Sequence, residues 1–218
     1  MPVAEVFHDH WRPLVLAIGV IFVGIGGFYV VTTFMLAYAT DQVGVSDSTI
    51  LDAVIFAGFV ELVAILPFAL LSDRVGRRPV GGLGAAAMVV LAFPLFWLVD
   101  TGETPLIWLG LGLIILAGSA HYAVISSFVA ELFDARIRYS GIALSYQLSG
   151  AIGGATAPLV ATALLDVDGG ASWPVALYLA AMAAVSAVSF ALAPETFRRS
   201  IGEPRAASTA PAVPVGAR

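Results

Sequence analysis

Ser72-Asp73-Arg74-Val75-Gly76-Arg77-Arg78-Pro79 packs three cations, one acid and a glycine between two long apolar runs, residues 50–71 and 80–99. A hydrocarbon core of ~30 Å needs about 20 apolar helical residues, and each run is that long. The octapeptide is therefore a tight turn between two membrane spans. Four more windows qualify, at residues 13–39, 105–130, 140–165 and 174–193. Helices are expected, because lipid cannot satisfy an exposed backbone and the period-2 alternation of a membrane barrel is absent.

The charges sort by side. There are ten cationic residues, all arginine. Besides those of the turn they are Arg12, Arg136, Arg138 and four beyond the sixth span. The connections at 40–49, 100–104 and 166–173 carry Asp and Glu but no cation. Positive loops stay cytoplasmic, so both termini are expected in the cytoplasm and the protein in the cell's inner (plasma) membrane. Residues 1–12 read as a polar cytoplasmic segment, 13–193 as the transmembrane domain and 194–218 as a disordered cytoplasmic tail rich in Pro, Ala and Arg. Trp11, Trp97, Trp108 and Trp173 lie near segment ends, where interfacial anchors belong.

Composition agrees. The chain is 60% hydrophobic and 11% charged, against about half and a quarter in soluble domains. Lipid is its solvent, and the net charge of −5 points to no nucleic-acid partner. No cysteine is present, so no disulfide or thiolate chemistry is expected. No phosphate-binding glycine loop, H-E-x-x-H or G-x-S-x-G occurs, which leaves an ATP-driven pump or an intramembrane hydrolase without support. His8-Asp9-His10 is too sparse for a metal site, and no cofactor is expected beyond a proton as coupling ion.

Small residues mark close helix approach. Gly24, Gly26 and Gly27 cluster in the first segment, and Gly81, Gly82 and Gly84 open the third. Gly150 and Gly154 form a GxxxG in the fifth, with Ser149 and Gly153 as an offset pair. Pro158 removes a backbone donor and should kink or break the fifth helix; Pro67 and Pro94 are placed to do the same in the second and third.

Glu61 stands near the middle of the second segment, where insertion scales charge an acidic residue roughly 2.5–3.5 kcal/mol. It is a candidate proton or substrate group, or a structural hydrogen-bonding partner. His121 is the one intramembrane histidine and could relay protons or serve as a neutral hydrogen-bonding residue. Ser119, Tyr122 and Ser126 share one helical face; Tyr29, Thr32 and Thr33 make a polar patch in the first segment, and Gln147 lies one turn before Gly150. These could line a cavity or bond neighbouring helices.

In the turn itself, Asp73 can pair with a neighbouring Arg or accept from a helix N-terminus, latching one end of a helical bundle. The D-R-x-G-R-R pattern of Asp73, Arg74, Gly76, Arg77 and Arg78 resembles the signature loop of the major facilitator superfamily. Glu131-Leu132-Phe133 through Arg136-Ile137-Arg138-Tyr139-Ser140-Gly141, then Ser145-Tyr146-Gln147-Leu148, resemble the tenth-to-eleventh helix region of its metabolite:proton symporter branch. Gly153-Gly154 with Ala157-Pro158-Leu159, Ser172-Trp173-Pro174, and Ala193-Pro194-Glu195-Thr196 extend the resemblance. It implies an all-α integral membrane fold, six transmembrane helices forming half of a twelve-helix protein and matching helices seven to twelve. Substrate would sit between two halves that rock against each other. It implies secondary active transport, with proton-coupled symport of a small organic acid or zwitterionic metabolite. The chain departs from the branch pattern where Ile21 and Gly24 stand in place of an Arg and a Glu, and where Ala123-Val124-Ile125 rather than Gly-Pro-Gln follows Tyr122. A separate N-terminal six-helix half, or a second copy, would complete the cavity. The alternative is a truncated or degenerate non-transporting membrane protein or interaction module.

Overall fold

The computed structural model describes residues 2–167 and 169–195, so the expected tail from residue 196 onward lies outside the described residues. Every described element is helical. A short helix α1 (Pro2–Asp9) precedes six helices long and apolar enough to span a membrane. These are α2 (Trp11–Val43), α3 (Asp47–Val75), α4 (Arg77–Val99), α5 (Thr104–Glu131), α6 (Arg138–Val167) and α7 (Trp173–Leu192). Six such helices is the number that the apolar windows predict.

The boundaries have local causes. Ser46 caps α3, accepting from the Thr49 N–H at 3.3 Å, and Pro105 and Pro174 sit in the first turns of α5 and α7, where a missing N–H is harmless. Gly76, at φ 108°, is all that separates α3 from α4. Few other residues tolerate that conformation.

The helices are not uniform. α2 contains two wide π-turns, Val30–Phe34 and Ala39–Val43. Each holds a threonine whose hydroxyl takes a carbonyl from the preceding turn: Thr32 bonds Phe28 O at 2.7 Å and Thr40 bonds Leu36 O at 3.0 Å. Such back-bonding bends helices. In α6 a third π-turn, Gly150–Gly154, ends in a break at residues 155–156. The helix restarts at Ala157, so the break precedes Pro158, which cannot donate to the Gly154 carbonyl. Pro67 and Pro94, by contrast, lie inside α3 and α4 without breaking them.

The N-terminal segment is more structured than its polarity suggests. Val6 of α1 is fully buried with Leu14, Leu132, Phe133 and Ile137, and Glu5 pairs with Arg136. Trp108 also differs from expectation. Trp11, Trp97 and Trp173 are exposed, but Trp108 stacks on Phe56 at 4.9 Å between α5 and α3.

Packing is closest where side chains vanish. A Cβ on Gly84 of α4 would lie 2.5 Å from the His121 backbone nitrogen and 2.8 Å from the Ala117 carbonyl of α5. The α2–α6 contact uses Ser149 and Gly153 rather than Gly150. Ser149 donates to Ile18 O at 2.7 Å, and a Cβ on Gly26 would sit 2.8 Å from Gly153 O, whereas nothing lies within 4 Å of one on Gly150. Ser186 of α7 enters the ladder of α2, accepting from Val23 N–H at 3.0 Å and donating to Gly19 O at 2.7 Å.

Gly84→Val should therefore destabilise the domain by about 1–3 kcal/mol through overpacking, while Gly150→Ala stays within about 0.5 kcal/mol. Thermal unfolding of both variants in detergent checks the contrast.

Candidate functional site

A cleft of about 430 Å³ opens midway along the bundle among α2, α3, α4 and α5. Helix α2 supplies Gly24, Phe28 and Tyr29, α3 supplies Glu61, and α5 supplies His121 and Tyr122. Four of the residues singled out by sequence, Tyr29, Glu61, His121 and Tyr122, thus meet on one wall. Thr32 joins Glu61 in a smaller neighbouring cavity of about 160 Å³. Thr33, Ser126 and Gln147 are exposed and line neither space. The expected polar face of α5 divides, since Ser119 is buried and bonds Ile115 O at 2.7 Å.

His121 is fully buried, with its ring edge-on to Phe190 at 5.5 Å. Neither ring nitrogen makes a hydrogen bond to a described residue. A Cβ on Gly24 would come 3.4 Å from Nε2, so the glycine of α2 leaves room for the imidazole where it borders the cleft. Glu61 is half-buried and has no described ion-pair partner. No Arg lines either cavity. The wall offers one carboxyl, one imidazole and three aromatic rings, and it can accept hydrogen bonds and face a cation.

At the arginine-bearing end the two basic loops, far apart in sequence, form one cluster. Arg77 of α4 reaches Asp73 of α3 at 3.4 Å, Glu131 of α5 at 2.9 Å and Ser127 Oγ at 2.6 Å. The Arg77 and Glu131 side chains are 21% and 10% exposed, whereas Asp73 is 59% exposed. Burial makes the Glu131 contact the costlier one to break. Arg78 donates to the Ala191 carbonyl at the end of α7, Arg138 Nε donates to Ala130 O at 2.9 Å, and Arg74 is exposed. Helices α3, α4, α5 and α7 are therefore tied at this end. At the opposite end, Asp100 accepts from Tyr38 at 2.5 Å and from Ser172 at 2.8 Å, joining α2 to the two acidic connections.

Comparison with known proteins decides the family. Residues 1–206 match the sugar (and other) transporter family. The chain belongs to the major facilitator superfamily. It is a multi-pass membrane protein with half of that fold. It is 30% identical over 199 residues to the ectoine/proline transporter of Corynebacterium glutamicum, covering 91% of this chain and 39% of that one. It is 33% identical over 173 residues to the shikimate transporter of Escherichia coli, covering 78% and 39%, and 31% identical over 199 residues to the proline/betaine transporter of the same organism, covering 90% and 39%. The chain thus spans about 39% of the length of these relatives. No solved structure matches it.

The unequal burial of Arg77's partners sets an expectation. Arg77→Ala leaves Glu131 unpaired and should cost about 2 kcal/mol or more, its partial exposure placing it below the ~3–5 kcal/mol of a fully buried pair. Asp73→Asn should cost about 0–1 kcal/mol. Chemical or thermal unfolding of the two variants tests the order.

Proposed function

We propose that this chain is the C-terminal six-helix half of a secondary active transporter, moving a small zwitterion or organic acid together with a proton by alternating access. The observation that carries this reading is the cleft of Glu61, His121, Tyr29 and Tyr122. It is a polar wall at mid-membrane depth in a domain spanning about 39% of its transporter relatives. Polar groups facing lipid are expensive, so a second six-helix body, either a separate N-terminal half or a second copy, would cover this face. Substrate then binds between the two, and the bodies rock about it.

The lining narrows the substrate. A carboxyl and three aromatic rings with no Arg suit the ammonium end of a zwitterion, leaving its carboxylate to the opposing half. The names of the ectoine/proline and proline/betaine relatives support a zwitterion, and that of the shikimate relative an acid. Glu61 is the carboxyl of this wall and would carry the coupling proton, with His121 as its neighbour in the cleft. The arginine-bearing end faces the cytoplasm of an inner-membrane protein, and the Arg77–Glu131–Asp73 cluster ties that end of the body as it rocks. The chain acts as a transporter and no enzyme.

Proteoliposomes holding this chain together with a matching six-helix partner, and this chain alone, test the proposal. Proline, glycine betaine, ectoine and shikimate would be offered with and without an inward proton gradient. Gradient-driven uptake of at least one is expected from the assembled protein, and Glu61→Gln should reduce it tenfold or more. Failure of every compound with the folded, inserted assembly would favour a non-transporting membrane module.

A further inference from the structure

A second cleft, of about 470 Å³, lies at the arginine-bearing end between α2, α4 and α7, well apart from the mid-membrane wall. Arg12 and Arg78 line it, with Leu16, Leu132 and Leu192 as its apolar sides, and no carboxylate among the lining residues. Arg78 spends one donor on the Ala191 carbonyl, and a guanidinium has five. Arg12 lies over the Trp11 ring at 5.4 Å and has no ion pair among the described residues. The surroundings mark this depth as the membrane interface. Trp11, the neighbour of Arg12 in sequence, is exposed, as anchoring aromatics are at headgroup level. Leu192 is 70% exposed and carries the apolar wall of the cleft out to the lipid-facing surface.

We propose that Arg12 and Arg78 hold the phosphate of an anionic phospholipid in this cleft, with its acyl chain along Leu16 and Leu192. Two guanidiniums match phosphate oxygens in charge and hydrogen-bond geometry. The leucines favour a lipid over a free anion, because a soluble phosphate would gain nothing from them. Basic pockets between transmembrane helices at a membrane face suit such headgroups. The site is independent of what the central cleft transports.

The test uses the full chain, delipidated in detergent and titrated with phosphatidylglycerol or phosphatidylcholine of identical acyl chains, with bound lipid counted by native mass spectrometry. Phosphatidylglycerol should bind at least fivefold more tightly. Arg12→Gln should weaken it about fivefold, the effect of one arginine near a headgroup. Millimolar inorganic phosphate should not displace it. Arg78→Gln is the companion variant; if it fails to fold, the exposed Arg12 position decides alone. Equal retention of the two lipids, or unchanged binding by Arg12→Gln, overturns the proposal. Displacement by inorganic phosphate overturns it as well and reassigns the cleft to a soluble anion.

Discussion

Inside hydrocarbon a backbone N–H or C=O has no water to turn to, and much of this structure follows from that constraint. It dictates unbroken helices across the apolar runs. It also explains how irregularity is tolerated. The π-turns of α2 each contain a threonine hydroxyl that occupies a carbonyl, and Ser186 takes both members of an α2 donor–acceptor pair from the neighbouring helix. Because lipid supplies no hydrophobic drive between helices, close backbone approach matters more. Gly84 against α5 and Gly26 against Gly153 provide it.

The same packing builds the central cleft. Gly84 brings α4 onto the His121 backbone, while Gly24 keeps the facing side of α2 bare next to the imidazole. The first π-turn of α2 follows directly on Phe28 and Tyr29, so the helix widens next to the residues that line the cavity. At one end the bundle is held by Arg77 and its acidic partners, and at the other by Asp100. A rocking domain requires such a body, tied at its ends and open along one side.

The number of spans and the family were legible in sequence because length, hydropathy and the Asp73–Arg78 turn are local properties. Glu61 and His121 stood out because a titratable group in an apolar run is expensive. Tyr29 and Tyr122 fell on the cleft through helical phase, but phase alone does not fix which side of a helix meets its neighbours, so Thr33, Ser126 and Gln147 face outward. The α1 helix was hidden in a segment of mixed polarity, with Val6 its one described fully buried contact. The meeting of Arg77 with Glu131, 54 residues apart in sequence, is a tertiary fact. A faint signal existed in Thr32, a hydroxyl inside an apolar run, for the π-turn that holds it. Pro158 pointed to the break in α6, but Pro67 and Pro94 show that proline alone does not make one.

Because the chain lacks cysteine, water access to the central wall can be read one thiol at a time. Tyr122→Cys would face the cleft, and Val63→Cys would sit on the lipid-exposed side of α3, where Val63 is 71% exposed. In the assembled protein in membranes, a membrane-impermeant maleimide should label the first and leave the second unreacted, since an aqueous cavity reaches only the wall of Glu61 and His121. Equal labelling of both positions, or of neither, would contradict a substrate cavity on this face.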